Sequence, residues 1–412
     1  MKEEWLQSMA DPFREALLPA GDDLPERVKA CAEPLRDEPV FDPEEIWRAA
    51  EAIALPSEAR FMRPILERAV RIGLAHIEAT FQGDHPKYGA EKYQWARCDG
   101  FPPTIISAVD ALTLWGMAER AEQLMSYWLH CFIYRDGSIE FQGPAISEYG
   151  QLLNTVCNLV ERGASADWLP RHTRIISTMV GYLKGLIHAS GNIGLVVGGP
   201  EDDRRHDPAT YFHNNAWLVR GLQDWAALLP ALDADEINAI AESLLEHLLS
   251  AIRDVWPDDP SDWWLPPVTE TSLPQSGEIK RPACITETTL GSYTNYRYWL
   301  ELLSSGVLPR DLAERIVHAR LNGGGQFLGI TRIQDFLDDW PLFHWLDGLW
   351  QLGMHDDFQL SLWGHIYYSQ AEGHMTAYEG VSFPPGKKVS PYCLPCQLVA
   401  VRAAAKIALG DD

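Results

Sequence analysis

Between residues 60 and 408, apolar side chains recur at three- and four-residue steps in twelve successive segments, and the links between these segments alternate in length. Phe61, Ile65, Ala69, Ile72 and His76 show the spacing, as do Ile175, Met179, Leu183 and Leu186, and Leu244, Leu245, Leu248, Leu249 and Ile252. Convincing alternating strands are absent, so the chain reads as all-α. Short links at 117–118, 229–231, 304–309 and 353–354, with 162–171 the longest of them, alternate with long links at 81–102, 134–147, 189–211, 256–289, 321–339 and 371–393. If successive helices run antiparallel, every long link falls at one end of the molecule. The economical closed solution is an (α/α)6 barrel, six helical hairpins in a ring, over residues 59–412, with its cleft on the long-loop face. A helical extension over 1–58 precedes it. A solenoid would show a tighter, more self-similar period than starts near 60, 119, 172, 234, 310 and 355.

The net charge is −24, and the 34 basic residues form no run longer than two. Nucleic acid and anionic membranes both need a concentrated basic face, so neither is an expected partner. No stretch of eighteen uninterrupted apolar residues occurs, and the first residues carry acids where a signal peptide carries bases. A cytoplasmic protein is expected. Seven sparse cysteines fit reduced thiols rather than a disulfide framework. The excess is in Trp, 16 residues, with 14 Tyr; beside so acidic a balance it fits a cleft in which sugar rings stack on aromatic faces.

The long links concentrate acids and aromatics. The first holds Trp95, Arg97, Asp99 and Phe101 in QWARCDGF, and the second Asp136, Glu140, Gln142, Glu148 and Tyr149 in DGSIEFQGPAISEYGQ. The third reads LVVGGPEDDRRH and leads into YFHNNAW; the fourth carries Trp256, Trp263 and Trp264. The fifth contains Asp338 in QDFLDDW, and the sixth Tyr378 and Glu379 in HMTAYEGVSF. Breaking a glycosidic bond takes one protonated carboxyl for the leaving oxygen and one ionised carboxyl on the opposite side. Acids from distant links on one face meet that demand, and Glu379 sits in an apolar-aromatic context that raises carboxyl pKa values.

With RCDGF at 97–101, DGSIEFQGP followed by SEYGQ, GGPEDD before YFHNNAWLVRGL, and HMTAYEGVSF followed by YCLPCQLVAVRAA, the chain resembles the six-hairpin glycosidase superfamily over about residues 60–408. That superfamily includes glucoamylases, trehalases, processing α-glucosidases, α-rhamnosidases and unsaturated glucuronyl hydrolases. The resemblance implies a general acid in the link after the fifth helix, among Glu201, Asp202 and Asp203, and a general base after the eleventh, Glu379. It implies inverting hydrolysis, with the carboxyls about 6.5–9.5 Å apart. The triplet is followed by Arg204, Arg205 and His206, a departure that leaves open which acid faces the cleft. Asp99, Glu148 and Asp338 stand in reserve. Trp95, Trp263, Trp264 and Tyr149 are candidates for sugar stacking, with Gln142 and Tyr378 beside them. The expected substrate is a small oligosaccharide. The oligomeric state is not readable. Two rivals keep the fold: a sugar epimerase or polysaccharide lyase using His374, Tyr378, His206 or His213 as base, and a sugar-binding protein without turnover.

Other signals fall away. Cys393 and Cys396 have C-x-x-C spacing, but a thioredoxin-like site needs a strand before its helix, and none is expected here. His344, His355 and His365 lack metal-ligand spacing, so no metal is expected. Gly323, Gly324 and Gly325 lack the Lys-Ser/Thr of a phosphate loop. No cofactor is expected. The pairs at 204–205 and 387–388 read as solvated loop bases, with recognition of a uronic acid carboxylate as the alternative.

Overall fold

The computed structural model describes residues 14–18, 21–32, 44–89, 100–139, 145–191, 194–201, 208–256, 262–269, 281–287, 294–370, 375–382, 388–391 and 393–410. Trp95, Asp99, Gln142, Asp202, Asp203, His206 and His374 lie outside the described residues. Among the described residues twelve helices follow one another from Pro64 to Ala408. They are α1 (Pro64–Thr80), α2 (Pro102–Leu114), α3 (Ala118–Phe132), α4 (Ser147–Arg162), α5 (Trp168–Ala189), α6 (Phe212–Ala227), α7 (Ala231–Val255), α8 (a π turn Thr294–Tyr298 continued as Trp299–Ser304), α9 (Arg310–Asn322), α10 (Leu342–Gln351), α11 (His355–Gly364 continued as a π turn His365–Ser369) and α12 (Leu394–Ala408).

Burial sorts them into two rings. Every residue of α2 from Pro102 to Thr113 is buried. By contrast α7 buries a single stripe, Ile237, Ala241, Leu244, Leu248 and Ile252, and turns its other faces to water. The even-numbered helices form the inner ring: α2 packs on α4, α4 on α6, α6 on α8, α8 on α10, α10 on α12, and α12 back on α2. The odd-numbered helices lie outside, α3 on α2, α7 on α6 and α1 on α12 among them. This is the (α/α)6 toroid expected from the alternating links. Each long link follows an outer helix and enters an inner one, so the long links gather over the N-terminal ends of the inner helices.

Two glycines let α4 and α6 approach most closely. A Cβ on Gly150 would overlap the Trp217 carbonyl, and one on Gly221 would stand 2.6 Å from the Gly150 Cα. The N-terminal extension lies against the outer ring, with Leu24–Ala32 on α11 and Glu44–Glu51 on α1. It adds Leu24, Val28 and Ile46 to the same apolar core. Arg14 pairs with Asp357 of α11 at 2.9 Å.

The expectation that strands are absent is corrected by a five-stranded antiparallel sheet. Its strands β1 (Gln326–Phe327), β2 (Ile330–Ile333), β3 (Phe336–Asp338), β4 (Tyr378–Ser382) and β5 (Lys388–Pro391) lie in chain order. Strands this short show no readable alternation, and the β3–β4 pairing joins two links separated by α10 and α11. The sheet clasps the fifth link to the sixth and sets Asp338 opposite Gly380. Buried Arg320 of α9 donates to the Asn295 carbonyl at 2.7 Å and also to the Gly325 carbonyl, tying the sheet to the π turn of α8.

The Trp excess is mainly a packing signal. Eight Trp, at 115, 128, 168, 225, 256, 299, 345 and 363, are fully buried and belong to the packing rather than to a cleft. Among the described residues no helix is long and apolar enough to cross a membrane.

Candidate active site

The third link reaches the long-loop mouth by a built path. Gly198 pairs with Ala209 and Gly199 with Ala145, folding the link over the start of α4. Two fully buried asparagines at the start of α6 fasten it. The Asn214 amide donates to the Gly199 carbonyl at 2.8 Å, and the Asn215 side chain accepts from the Val196 N–H at 2.8 Å and donates to the Val196 carbonyl at 3.2 Å. Loop backbone is thus satisfied by side chains rather than by a ladder. Glu201, 9% exposed, follows directly.

Glu201 forms an ion pair with Arg297, which the π turn of α8 points inward. Arg297 Nε also donates to Glu301 Oε1 at 2.9 Å, and its guanidinium lies 3.7 Å from the centre of the Trp340 ring. Glu301 Oε2 and Glu148 Oε2 each stand 3.0 Å from Ser147 Oγ. A hydroxyl has one proton to give. Burial, the largest single influence, pushes Glu301 up, but the charge and hydrogen bond of Arg297 together with His213 and His344 hold the carboxyl below its usual range. Burial, then the Glu301 charge, pushes Glu148 up to about 7. Both facts fit one arrangement, in which Ser147 donates to ionised Glu301 and accepts from protonated Glu148. The chain Glu148–Ser147–Glu301–Arg297–Glu201 therefore holds three acids around one cation.

A second acid group lies on the sheet. Tyr296, next to Arg297 on the same π turn, donates to Asp338 Oδ2 at 2.6 Å, and the Trp340 N–H donates to Oδ1 at 2.7 Å. Burial, then the Glu379 charge, pushes Asp338 up to about 7. Glu379 on β4 is half-buried and receives the Asp339 N–H on its backbone carbonyl at 2.9 Å. Asp339 itself turns inward, bonded to His365 Nδ1 at 2.8 Å and Ser369 Oγ at 3.1 Å on the π turn of α11. Phe101 stands 6.2 Å from Trp340 and 5.4 Å from Tyr88, giving this mouth an aromatic wall.

Neither a family model nor a curated protein matches the sequence. Solved structures do match the fold. A glycosidase aligns over 90% of this chain and 99% of its own at 12% identity and a TM-score of 0.57. A rhamnosidase from Klebsiella oxytoca with rhamnose bound aligns over 87% of this chain and 66% of its own, at 12% identity and a TM-score of 0.59. A GH76 α-mannanase from Bacteroides thetaiotaomicron aligns over 84% and 97%, at 10% identity and a TM-score of 0.54. The chain has the six-hairpin toroid fold of these glycosidases.

Several candidates take other places in the toroid than expected. Tyr149 is 3% exposed, its ring stacked on Tyr182 and its hydroxyl accepting the Ile139 N–H at 2.9 Å, so neither face is open to a sugar. Trp264 packs on Trp299 with Trp263 beside it, and Arg281 lies 5.0 Å over the Trp263 ring. Tyr378 is buried in the core. Glu148 is buried inside the Arg297 network rather than set on its surface. His213 is 1% exposed, stacked at 4.3 Å on Tyr298, and pushed by burial down to about 4. His344 bonds Ser304 at 2.7 Å and His355 packs on Trp350 at 4.9 Å. Among the described residues no group of three acids, His or Cys has the geometry to hold a metal ion.

The two C-x-x-C thiols lie 3.3 Å apart, buried and unbridged. A strand does precede their helix, since β5 ends at Pro391, which corrects that part of the sequence reading. Burial pushes the Cys396 thiol well above its usual range, which keeps that sulfur from acting as a thiolate. Arg297, Glu301, Tyr296, Trp340 and Ser147 were not singled out by sequence. The i, i+4 spacing of Arg297 and Glu301 is an ordinary surface pattern.

Proposed function

We propose that the chain hydrolyses a glycosidic bond in a small oligosaccharide, with Glu379 as the base that activates water and the acid triplet of the third link supplying the proton. The observation that carries this reading is the meeting of two acid groups at the long-loop mouth, from links far apart in sequence, across Arg297 and Trp340. Glu201 is ion-paired with Arg297, which favours Asp202 or Asp203 as the donor within the triplet. Asp338 is raised to about 7 by burial and then by the Glu379 charge, which sets the two carboxyls as an interacting pair at this mouth. Phe101 and Trp340, both half-buried, take over the stacking role proposed for Tyr149 and the Trp263–Trp264 pair. Direct attack by water would invert the anomeric centre. An oligosaccharide fragment handled in the cytoplasm is the substrate that fits this reading. The epimerase alternative loses support at His213, since an imidazole titrating near 4 is a weak base at neutral pH.

The test is turnover of aryl glycosides and short oligosaccharides, uronic-acid-capped ones included, by wild type and Glu379→Gln. Loss of a catalytic base predicts a fall in kcat of about 10²–10⁴-fold at unchanged melting temperature. Full activity in Glu379→Gln would remove that residue from the mechanism. Sugar binding without turnover across the panel would make the chain a binding protein.

A further inference from the structure

The toroid has a second mouth. A cavity of about 750 Å³ opens among the C-terminal halves of the inner helices, on the face opposite Glu201 and Glu379. Asp110 and Thr113 of α2, Asn158 and Glu161 of α4, and Arg402 and Lys406 of α12 face it. Its inner wall is His344 and Trp217, whose rings meet edge to face at 6.2 Å. Behind His344 is Glu301, whose charge it feels, so the two mouths are separated by a thin layer of side chains.

The chemistry of this chamber is that of a neutral, polar ligand. Four of the five Arg and Lys side chains that line it are paired: Arg402 with Asp110 at 2.8 Å, Lys406 with Asp347 at 2.9 Å, Arg220 with Asp224 at 2.8 Å and Arg310 with Glu314 at 2.7 Å. A charged ligand would meet a compensated field and would be desolvated without return. Hydrogen-bonding capacity remains unused. Trp217 Nε1 and Arg402 Nε are buried donors without a partner, in side chains 7% and 9% exposed. Such groups carry a desolvation cost that a ligand acceptor would relieve. The side chains of Gln151 and Asn158 add amide donors and acceptors, and Trp350 adds a broad apolar wall. The volume lies within the range of small-molecule sites, about 300–1,000 Å³.

We propose that this rear chamber binds a neutral polyhydroxylated molecule of mono- to disaccharide size. Trp217 Nε1 and Arg402 Nε donate to its oxygens, and the amides receive its hydroxyl protons. The site is separate from the carboxylate mouth and does not depend on the hydrolase reading.

Isothermal titration of the full chain with maltose, sucrose, trehalose and myo-inositol, each to about 10 mM, ten times a millimolar Kd, provides the test, with sodium sulfate as the anion control. The expected result is a saturable isotherm for at least one polyol that persists in Glu379→Gln. It weakens about tenfold in Trp217→Phe, which keeps an aromatic side chain and removes the indole N–H donor. Asn158→Trp, at a half-buried position one turn from the end of α4, obstructs the chamber and abolishes the isotherm, and it serves as the second variant if Trp217→Phe does not fold. Three outcomes would overturn the proposal: no saturable heat with any polyol, heat with sulfate only, or polyol binding that neither chamber variant changes.

Discussion

The one hydroxyl of Ser147 is shared between two carboxyls. Arg297 touches both Glu301 and Glu201, whereas at Glu148 burial and the Glu301 charge outweigh the Arg297 charge and raise the carboxyl to about 7. Glu148 titrates at about 7 in the folded chain and near 4.3 when unfolded, so the folded state binds that proton more tightly. Its effect on stability is therefore most favourable below the unfolded value, declines as pH rises from about 4 to 7, and stays unfavourable above. Glu148→Gln, which keeps the shape without the charge, should flatten the fall in stability between pH 5 and pH 8 by roughly 1–3 kcal/mol in urea unfolding. An unchanged pH slope would show Glu148 ionised throughout. Arg297→Met should be costly at neutral pH, about 3–5 kcal/mol by the same measurement, since it strands buried charges. None of this was legible in TNYRYWLELL, because a buried helix and a solvated one share the same i, i+4 pairs. Glu201 and Glu379 were legible, since acids stand out in Gly- and Pro-rich links.

The helices were readable because twelve long segments keep one period, and an inner helix differs from an outer one only in how much of its circumference is apolar. The contrast between α2, buried on all sides, and α7, buried on one stripe, is the physical form of that difference. Strands of two to five residues left no such trace, so Glu379 was expected in a loop and instead lies on β4, where the β3 pairing fixes its height beside Asp338. The contact of α4 with α6 is equally invisible in sequence until Gly150 and Gly221 are seen face to face. Gly221→Ala should destabilise the chain by about 2–3 kcal/mol, because backbone rather than a flexible side chain must give way. It should also shift α6, moving Trp217 at one mouth and the Asn214 clamp at the other. A melting temperature equal to wild type would show that the helices have room to part.

At the scale of the molecule, the chain carries a net charge of −24. Self-repulsion of that size is screened by salt, so raising sodium chloride from about 0.01 M to 0.15 M should raise the melting temperature by roughly 1–4 °C. A flat response would mean that local ion pairs already neutralise the surface. The closure of the inner ring has a different consequence. The helix that completes it, α12, packs against α1 and α2, and the Trp115 indole N–H reaches across to the Val401 carbonyl at 2.9 Å. Of the twelve barrel helices, α1 and α2 are made first, and the flank that α12 covers stays open until Leu394–Ala408 has been made. A solenoid can grow stably from one end. This ring can only snap shut, and the longest loop in its folding, nearly the whole barrel, is closed by its last-made helix.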